Sequence, residues 1–406
     1  MRSARSAPFR RFRRRSPWGR LAGWGRRGGG LGALLVVLML GLGSRAARAG
    51  DPELVYRSLE TAHFRITYHE PLGRVAQRLA VVAESALSTL GPVLKHTPRL
   101  RTEVLLTDDT DSSNGSATAL PFTTVRLYLT APDDRSELND FDDWLYALFV
   151  HEYTHILHLD TINGLPRWVN YLLGFGVNTI YAPNQSQARW FSEGLAVFEE
   201  AERTSAGRLR STLFDMYLRS HTLEGKFLGL DRVTNQSHLF PRGNVPYLYG
   251  SAFLRYLAGR FGQDTLQQIS QRYGGCWSPD CWVPWGMSRV LRRLTGHTYD
   301  EVYLDFRRAM EQRYRAQREA IERSPLGLTS GRPLTGWKVD IDRPQFAEDG
   351  KTILWVDSDP NQRTALRRYD MRTGKTTIEL KLDGTNGFAL AADGQTAILS
   401  RVNFYR

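Results

Sequence analysis

Cysteine is scarce in this chain, with only Cys276 and Cys281 among 406 residues. Their spacing fits neither a zinc-binding nor a redox motif, which excludes both uses of the thiols and leaves any metal site to other residue types. The segment between them is rich in turn-forming residues. The two cysteines therefore either close a short disulfide loop or remain reduced and unrelated.

Acidic residues are absent from residues 1–49, which contain twelve arginines. Because the whole chain has 54 basic and 42 acidic residues, the part after residue 49 has 42 of each and carries no net charge. The formal charge of +12 therefore does not indicate a nucleic-acid partner.

The apolar run at 31–43 is too short to span a bilayer, since a membrane-spanning helix needs about 18 to 20 residues. It follows a basic region and precedes Ala47-Arg48-Ala49, which is typical of a secretory signal peptide. We expect residues 1–49 to be removed by cleavage after Ala49, with an uncleaved anchor as the alternative. The mature protein would then have no stable membrane span and would be exported, to the periplasm or outside the cell.

Two histidines four residues apart, His151 and His155, lie in a segment that the sequence predicts to be helical. The helix is expected at 139–160 because Asn139 is a capping residue, acidic residues follow it, and apolar residues recur at spacings of three and four. Side chains four residues apart on a helix point the same way and can share one zinc ion. Glu152 lies next to the first histidine, where it can take a proton from water.

A third ligand is predicted at Glu193, in a second helical stretch at 190–200. Aromatic and aliphatic residues flank this glutamate, and a carboxylate buried among them would be costly unless it were paired or bound to a metal. A helix in which Glu193 faces solvent or pairs with an arginine is the alternative.

His158 is not expected to be a ligand, although it lies on nearly the same helical face as His151. Seven residues of helix separate the two by about 10 Å along the axis, whereas a zinc–imidazole bond is about 2 Å long. We expect His158 either to support a ligand residue from outside the site or to have a structural role. Asp160, Glu199 and Glu200 remain open as partners for the outer nitrogens of the ligand histidines.

These residues resemble the gluzincin metallopeptidases, in which His-Glu-x-x-His is followed on a later helix by a glutamate in a Trp-x-x-Glu-Gly-x-Ala context. The likeness to aminopeptidase N-like enzymes is distant, because His155 and Glu193 are widely separated and the Gly-Ala-Met-Glu-Asn segment is absent. The resemblance implies one zinc ion bound by His151, His155 and Glu193, with Glu152 as the general base. It favours an endopeptidase over an exopeptidase.

The same resemblance implies a catalytic role for Tyr247. Residues 245–252 resemble the Tyr-x-Lys-Gly-Ala stretch that follows the glutamate helix in those enzymes, with Tyr249 where the family has lysine. The phenol of Tyr247 would donate a hydrogen bond to the oxyanion. Packing of both tyrosines at a helix start is one alternative, and His238 is the alternative donor.

The residues before the motif helix predict a small sheet. Strands are expected at 63–68, 103–107 and 123–130, with a helix at 72–90. By resemblance to gluzincins, the last strand is the sheet edge along which an extended substrate lies, or else an ordinary internal strand. The apolar stretch at 165–181 either covers the cleft, contacts a membrane or substrate, or packs as a helical hairpin on its own domain.

A repeat near the C-terminus predicts a different architecture. Residues 344–355 are echoed by 388–399, with Asp349 and Asp393 44 positions apart. This period suits propeller blades, and the residues resemble the WD40-like repeats of TolB-type propellers, in which Asp-Gly forms a hairpin turn. One blade and part of another fit, so we expect either an N-terminal fragment of a longer protein or a truncated gene product. The sequence indicates no partner for such a propeller.

Together these features predict an α+β fold, a gluzincin-like metallopeptidase domain made of a small sheet plus a helical subdomain, followed by one to two propeller-type blades. The domain is expected at 50–325, a linker at 326–336 and incomplete propeller repeats at 337–406. The expected function is that of an exported zinc-dependent endopeptidase acting on peptide or protein substrates. A non-catalytic exported binding or scaffold protein that retains the zinc site is the alternative.

Overall fold

A computed structural model describes residues 54–133, 136–173, 181–234, 237–277, 285–329, 331–334, 340–359, 362–382, 385–391 and 396–401. The predicted signal peptide, Cys281 and Asp393 lie outside these residues. Cys276 is disulfide-bonded.

A five-stranded sheet opens the described part of the chain. Its strands are β1 (Tyr56–Glu60), β2 (Phe64–His69), β3 (Thr102–Thr107), β4 (Gly115–Thr118) and β5 (Thr124–Tyr128), in the order β1-β2-β3-β5-β4. β2, β3 and β5 are parallel, and the two edge strands are antiparallel to their neighbours. Helix α1 (Gly73–Leu94) connects β2 to β3, as a parallel pair requires. β5 is therefore the internal strand and β4 the edge.

Nine further helices follow among the described residues, and with the sheet they give the α+β composition that the sequence predicts. They are α2 (Trp144–Leu159), α3 (Gly164–Leu173), α4 (Arg189–Arg203), α5 (Thr212–Leu223), α6 (Leu230–Thr234), α7 (Val245–Phe261), α8 (Asp264–Gly274), α9 (Trp285–Thr295) and α10 (Tyr299–Glu322).

Helix α2 packs on the sheet through aromatic side chains. The ring of Phe64 in β2 lies 5.6 Å from that of Phe149 and 5.1 Å from that of Tyr153. All three side chains are completely buried in the large hydrophobic core, which extends from the sheet to α10. Edge-to-face contacts of this kind fix the rotation of a helix as well as its distance from the sheet.

The expected start of α2 at Asn139 is wrong. The helix begins at Trp144, and Asp143 caps it by accepting a hydrogen bond from the backbone N–H of Tyr146 at 3.3 Å. Asp142 instead accepts hydrogen bonds from the backbone and side chain of Ser205. Aspartates at 140, 142 and 143 are all residue types that can cap a helix, and with Asp142 held by Ser205 it is Asp143 that does so.

The apolar stretch at 165–181 begins as helix α3, and one side of that helix faces solvent. Trp168 is 63% exposed and Tyr171 is 71% exposed, and Leu165 and Leu172 are also exposed. These four apolar side chains of α3 are thus not packed on the domain, and the helical hairpin stays a prediction. Residues 174–180 lie outside the described residues.

The C-terminal strands form two antiparallel sheets. One contains β6 (Asp340–Phe346), β7 (Thr352–Asp359), β8 (Gln362–Asp370) and β9 (Lys375–Lys381) in chain order, and the other pairs β10 (Thr385–Leu390) with β11 (Ala397–Arg401). Asp349 and Gly350 form the turn between β6 and β7, with Gly350 at φ +60°. No closed sheet is present among the described strands, so the propeller and the domain limits stay predictions.

Candidate metal centre

The structure brings the three predicted metal ligands together. On α2, the imidazole rings of His151 and His155 lie 5.0 Å apart. Glu193 of α4 approaches both, with Oε2 at 3.2 Å from Nε2 of His155 and 3.9 Å from Nε2 of His151. Potential ligand atoms from the three residues all lie within 4.8 Å of one another, so the group could hold a metal ion.

A contact between two glycines positions Glu193. Gly194 on α4 faces Gly250 on α7, and a Cβ on Gly194 would lie 2.5 Å from the Gly250 carbonyl carbon. A Cβ on Gly250 would collide with the carbonyl oxygen of Trp190. The absence of both side chains therefore lets α4 and α7 pack with their backbones in contact, and this places Tyr247 of α7 beside Glu193.

The outer nitrogens of the two histidines have separate partners. Nδ1 of His151 lies 3.1 Å from Oε2 of Glu200, and Nδ1 of His155 lies 3.1 Å from Oγ of Ser192. If Nδ1 of His151 carries the proton and donates it to Glu200, the lone pair on Nε2 is left to bind a metal ion together with Glu193. The donor set of two imidazoles and one carboxylate thus fits zinc.

Glu200 is the acid that contacts a ligand histidine among the three left open by the sequence. Asp160 instead lies 2.9 Å from Nε2 of His96, and Glu199 accepts a hydrogen bond from Arg203. Ser192 could not be recognised from the sequence, because a serine one position before a ligand has no distinctive pattern.

Arg208 was not among the predicted site residues, although it contacts both His151 and Glu200. Its Nη2 donates to Oε2 of Glu200 at 2.7 Å and lies 2.8 Å from Nδ1 of His151, and both members of the Arg208–Glu200 pair are buried. Burial alone raises the pKa of Glu200, but the charge of Arg208 and the contact with His151 lower it to about 2. Glu200 is therefore ionised beside His151.

The pKa values of the neighbouring carboxylates Glu152 and Glu193 are shifted in opposite directions. Burial raises the pKa of Glu152 to about 7. Burial also raises the pKa of Glu193, but the hydrogen bond and charge of His155 and the contacts of His151 and Arg189 outweigh it and lower that pKa. A low-pKa carboxylate suits a metal ligand, whereas a raised pKa suits a group that exchanges a proton.

Glu152 also lies against the sheet edge. A Cβ on Gly115, the first residue of β4, would lie 2.7 Å from Oε1 of Glu152. The edge strand therefore reaches the carboxylate because residue 115 has no side chain. Gly115, Ser116 and Ala117 line the same cleft of about 740 Å³ as His151, His155 and Glu193.

Tyr247 lines that cleft and Tyr249 does not. The Tyr247 ring stacks near His151 with centroids 6.3 Å apart, and its hydroxyl lies 3.4 Å from Nη2 of Arg189. Tyr249 is completely buried, and its hydroxyl lies 2.7 Å from Nδ1 of His221. His238, the alternative donor, is exposed and is not among the described residues that line the cleft.

His158 lies away from the ligand group, as its distance along the helix predicts. It is buried, and its Nδ1 lies 2.8 Å from Oγ of Ser270 on α8. Its Nε2 has no hydrogen-bond partner among the described residues, and burial lowers the pKa of His158 to about 3. His158 is thus a neutral core residue.

Comparison with known proteins gives limited similarity. No protein-family model matches the chain. An uncharacterized protein of Treponema pallidum (strain Nichols) is 27% identical over 215 residues, which cover 52% of this chain and 18% of that protein. The chain thus matches less than a fifth of the length of this relative.

Two solved structures are similar at low TM-scores. An M1 zinc metallopeptidase from Deinococcus radiodurans has a TM-score of 0.33 and 16% identity, covering 64% of this chain and 52% of that one. An aminopeptidase N family protein from Idiomarina loihiensis has a TM-score of 0.25 and 13% identity, covering 68% and 45%. The chain spans about half of each structure, and at these TM-scores neither supports a conclusion about its activity.

Proposed function

We propose that this protein is a zinc-dependent metallopeptidase that cleaves within peptide chains. The observation that carries the proposal is the convergence of His151, His155 and Glu193 beside Glu152 in one open cleft. A closed structural zinc site would need a fourth protein ligand, and no further histidine, cysteine or acid joins this group among the described residues.

Each of these cleft residues has its own role in the proposed reaction. A zinc ion held by the three ligands would lower the pKa of water and polarise a carbonyl oxygen. Glu152 accepts the proton of the attacking water and returns it to the departing amine. The hydroxyl of Tyr247 donates a hydrogen bond to the oxygen that becomes negatively charged. Glu200 holds the ring of His151 in place through Nδ1.

The edge strand supports cleavage within chains. β4 pairs with β5 on one side, and on the other it has no partner strand among the described residues. An extended peptide can pair with its main chain, and such pairing does not require a free terminus in the substrate. The residues of β4 that line the cleft are small, so we expect little selection for the side chains that lie over them.

We also propose that the protein is exported from the cytoplasm. Residues 1–49 have the pattern of a signal peptide, and Cys276 is disulfide-bonded, which suits an oxidising compartment. Among the described residues, no helix combines the length and the apolar composition needed to cross a membrane.

Hydrolysis of an unfolded protein such as casein tests the proposed reaction. Wild type and Glu152→Gln should both contain one zinc ion per chain, and the variant should lose activity by about a thousandfold, because the general base is gone. Glu202→Gln, on the exposed side of α4, is the matched control and should retain activity. Equal cleavage by wild type and Glu152→Gln would show that Glu152 is not the general base. Zinc in both variants with cleavage by neither would favour the non-catalytic scaffold.

A further inference from the structure

A second cavity lies between helices α5, α7 and α10. It has a volume of about 130 Å³, and its walls are mostly apolar. Phe214 and Leu218 of α5 and Leu248 of α7 are buried in these walls. Arg208 lines both this cavity and the catalytic cleft, so the two spaces share one residue.

Two arginines form the rim of this second cavity, and we call it the arginine-rimmed cavity. Arg255 of α7 donates to the backbone oxygen of Leu209 at 2.7 Å and makes no ion pair with a described carboxylate. Arg313 of α10 is 3.0 Å from Oδ1 of Asp215. The rim therefore presents a guanidinium that forms no ion pair with a carboxylate among the described residues, although the charge of Glu202 acts on it.

Asp215 does not neutralise this rim, because other groups share its carboxylate. Arg219 lies 3.0 Å from Oδ2 of Asp215, and the hydroxyl of Tyr314 donates to Oδ1 at 2.9 Å. Arg219 and Arg313 thus already provide two positive charges for one carboxylate, before Arg255 is counted. Burial and the nearby charge of Arg313 lower the pKa of Arg255 and outweigh the opposing charge of Glu202, so the two guanidiniums lie in each other's field.

We propose that the arginine-rimmed cavity binds a small apolar carboxylate, either an aromatic acid or a short-chain fatty acid. The apolar walls would hold the hydrocarbon part, and a cavity of about 150 Å³ with such walls is known to accept benzene. The carboxylate would lie at the rim, where a planar guanidinium forms paired, charge-assisted hydrogen bonds with it. A cationic ligand is excluded by the same charges.

Arg208 lies between the arginine-rimmed cavity and the proposed active site, because it lines both. The guanidinium of Arg208 holds Glu200, and Glu200 holds His151, whereas the carboxylate of the occupant would lie at the rim beside Arg255 and Arg313. The binding itself does not depend on the peptidase reaction, so it can be measured whether or not the proposed function holds.

Three fluorinated probes of one shape test the site on the full zinc-loaded chain by ¹⁹F NMR line broadening. 4-Fluorobenzoate should bind about tenfold more tightly than 4-fluorobenzyl alcohol, and 4-fluorobenzylamine should bind most weakly. Arg255→Gln should remove the preference for the benzoate and leave the affinity for the alcohol unchanged. Arg260→Gln is the matched control, because Arg260 lies on the same helix and pairs with Asp305 outside the cavity.

A variant that fills the cavity distinguishes it from the cleft. Ala252→Phe should abolish binding of both the benzoate and the alcohol, since Ala252 lines the cavity from α7. Benzoate binding that is unchanged in Arg255→Gln overturns the proposal, and so does equal affinity for the benzoate and the alcohol. Binding that survives both substitutions but disappears when zinc is removed would place the benzoate in the catalytic cleft, and would also overturn it.

Discussion

Arg208 and Glu200 form a buried ion pair 2.7 Å apart directly behind His151. The carboxylate of Glu200 also lies 3.1 Å from Nδ1 of His151, so one acid connects a cation to a predicted metal ligand. The guanidinium of Arg208 lies 5.0 Å from the ring centroid of Tyr247. The pair therefore supports both a ligand and the proposed oxyanion donor.

Replacing Arg208 with methionine should weaken both the fold and the metal site. Removal of one partner leaves Glu200 charged and buried, which costs about 3–5 kcal/mol of unfolding free energy. Loss of the support behind His151 should lower zinc affinity by about 10- to 100-fold. Urea unfolding of the metal-free protein and zinc competition with a chelator measure the two effects separately.

The matched control for this substitution is Arg260→Met, which breaks the more exposed pair of Arg260 with Asp305. Exposed ion pairs contribute about 1 kcal/mol or less, so this variant should resemble wild type in both measurements. The double variant Arg208→Met/Glu200→Gln should recover part of the lost stability, because no buried charge remains unpaired. Unchanged zinc affinity in Arg208→Met would show that the pair does not support the ligand.

The grouping of the three predicted ligands could be expected from the sequence, because two of them are related by helical spacing and the third is an acid in apolar surroundings. Helical spacing alone places His151 and His155 on one face, and the apolar neighbours of Glu193 mark an acid that needs a partner. Arg208 gave a weaker signal. The buried acid Glu200 requires a cation, but Arg203, Arg208 and Arg210 all follow it closely, and chain packing determines which one turns inward.

The strand β4 could not be predicted from the sequence, because it too depends on contacts that are distant along the chain. Its four residues, Gly115–Thr118, are too few and too small to show a strand pattern. The strand exists because β5 offers an edge with which it can pair, and because Gly115 admits the close approach to Glu152. Tertiary contacts rather than local propensity thus produced the edge of the proposed substrate cleft.

Gly250→Ala should destabilise the protein, because the new methyl group would collide with the backbone of Trp190. Overpacking typically costs about 1–3 kcal/mol, and a backbone obstacle favours the upper end of this range. Gly259→Ala, on the same helix, meets nothing within 4 Å and should stabilise the protein by about 0.5–1 kcal/mol. Thermal unfolding of both variants checks the prediction, and equal effects would contradict the close packing of α4 on α7.

Tyr247→Phe should lower kcat of the proposed peptidase by about 10²- to 10³-fold with little change in KM, since the hydroxyl acts in the transition state. Tyr249→Phe should leave kcat unchanged. It should instead lower stability by about 1–3 kcal/mol, because the backbone N–H of Leu228 and Nδ1 of His221 lose their partner. Steady-state kinetics together with urea unfolding separate the two effects. A wild-type kcat in Tyr247→Phe would show that the hydroxyl of Tyr247 is not the oxyanion donor.

His158 should make the fold sensitive to acid. Its pKa is about 3 in the folded protein and 6.5 as an unperturbed group, because burial disfavours the imidazolium. Between these values the unfolded chain binds a proton that the folded chain excludes, so stability is complete above pH 6.5 and falls as the pH decreases. The loss should be about 1.4 kcal/mol for each pH unit below 6.5.

His158→Asn removes this titration while its amide can still reach Ser270, which now contacts Nδ1 of the histidine at 2.8 Å. Unfolding free energies measured from pH 7.5 to 4.5 should therefore fall less steeply for His158→Asn than for wild type, and the two curves should run parallel above pH 6.5. His238→Gln replaces an exposed histidine and should reproduce the wild-type slope, because it leaves the buried imidazole of His158 in place. Parallel curves for wild type and His158→Asn over the whole range would mean that the buried imidazole accepts its proton without unfolding the protein.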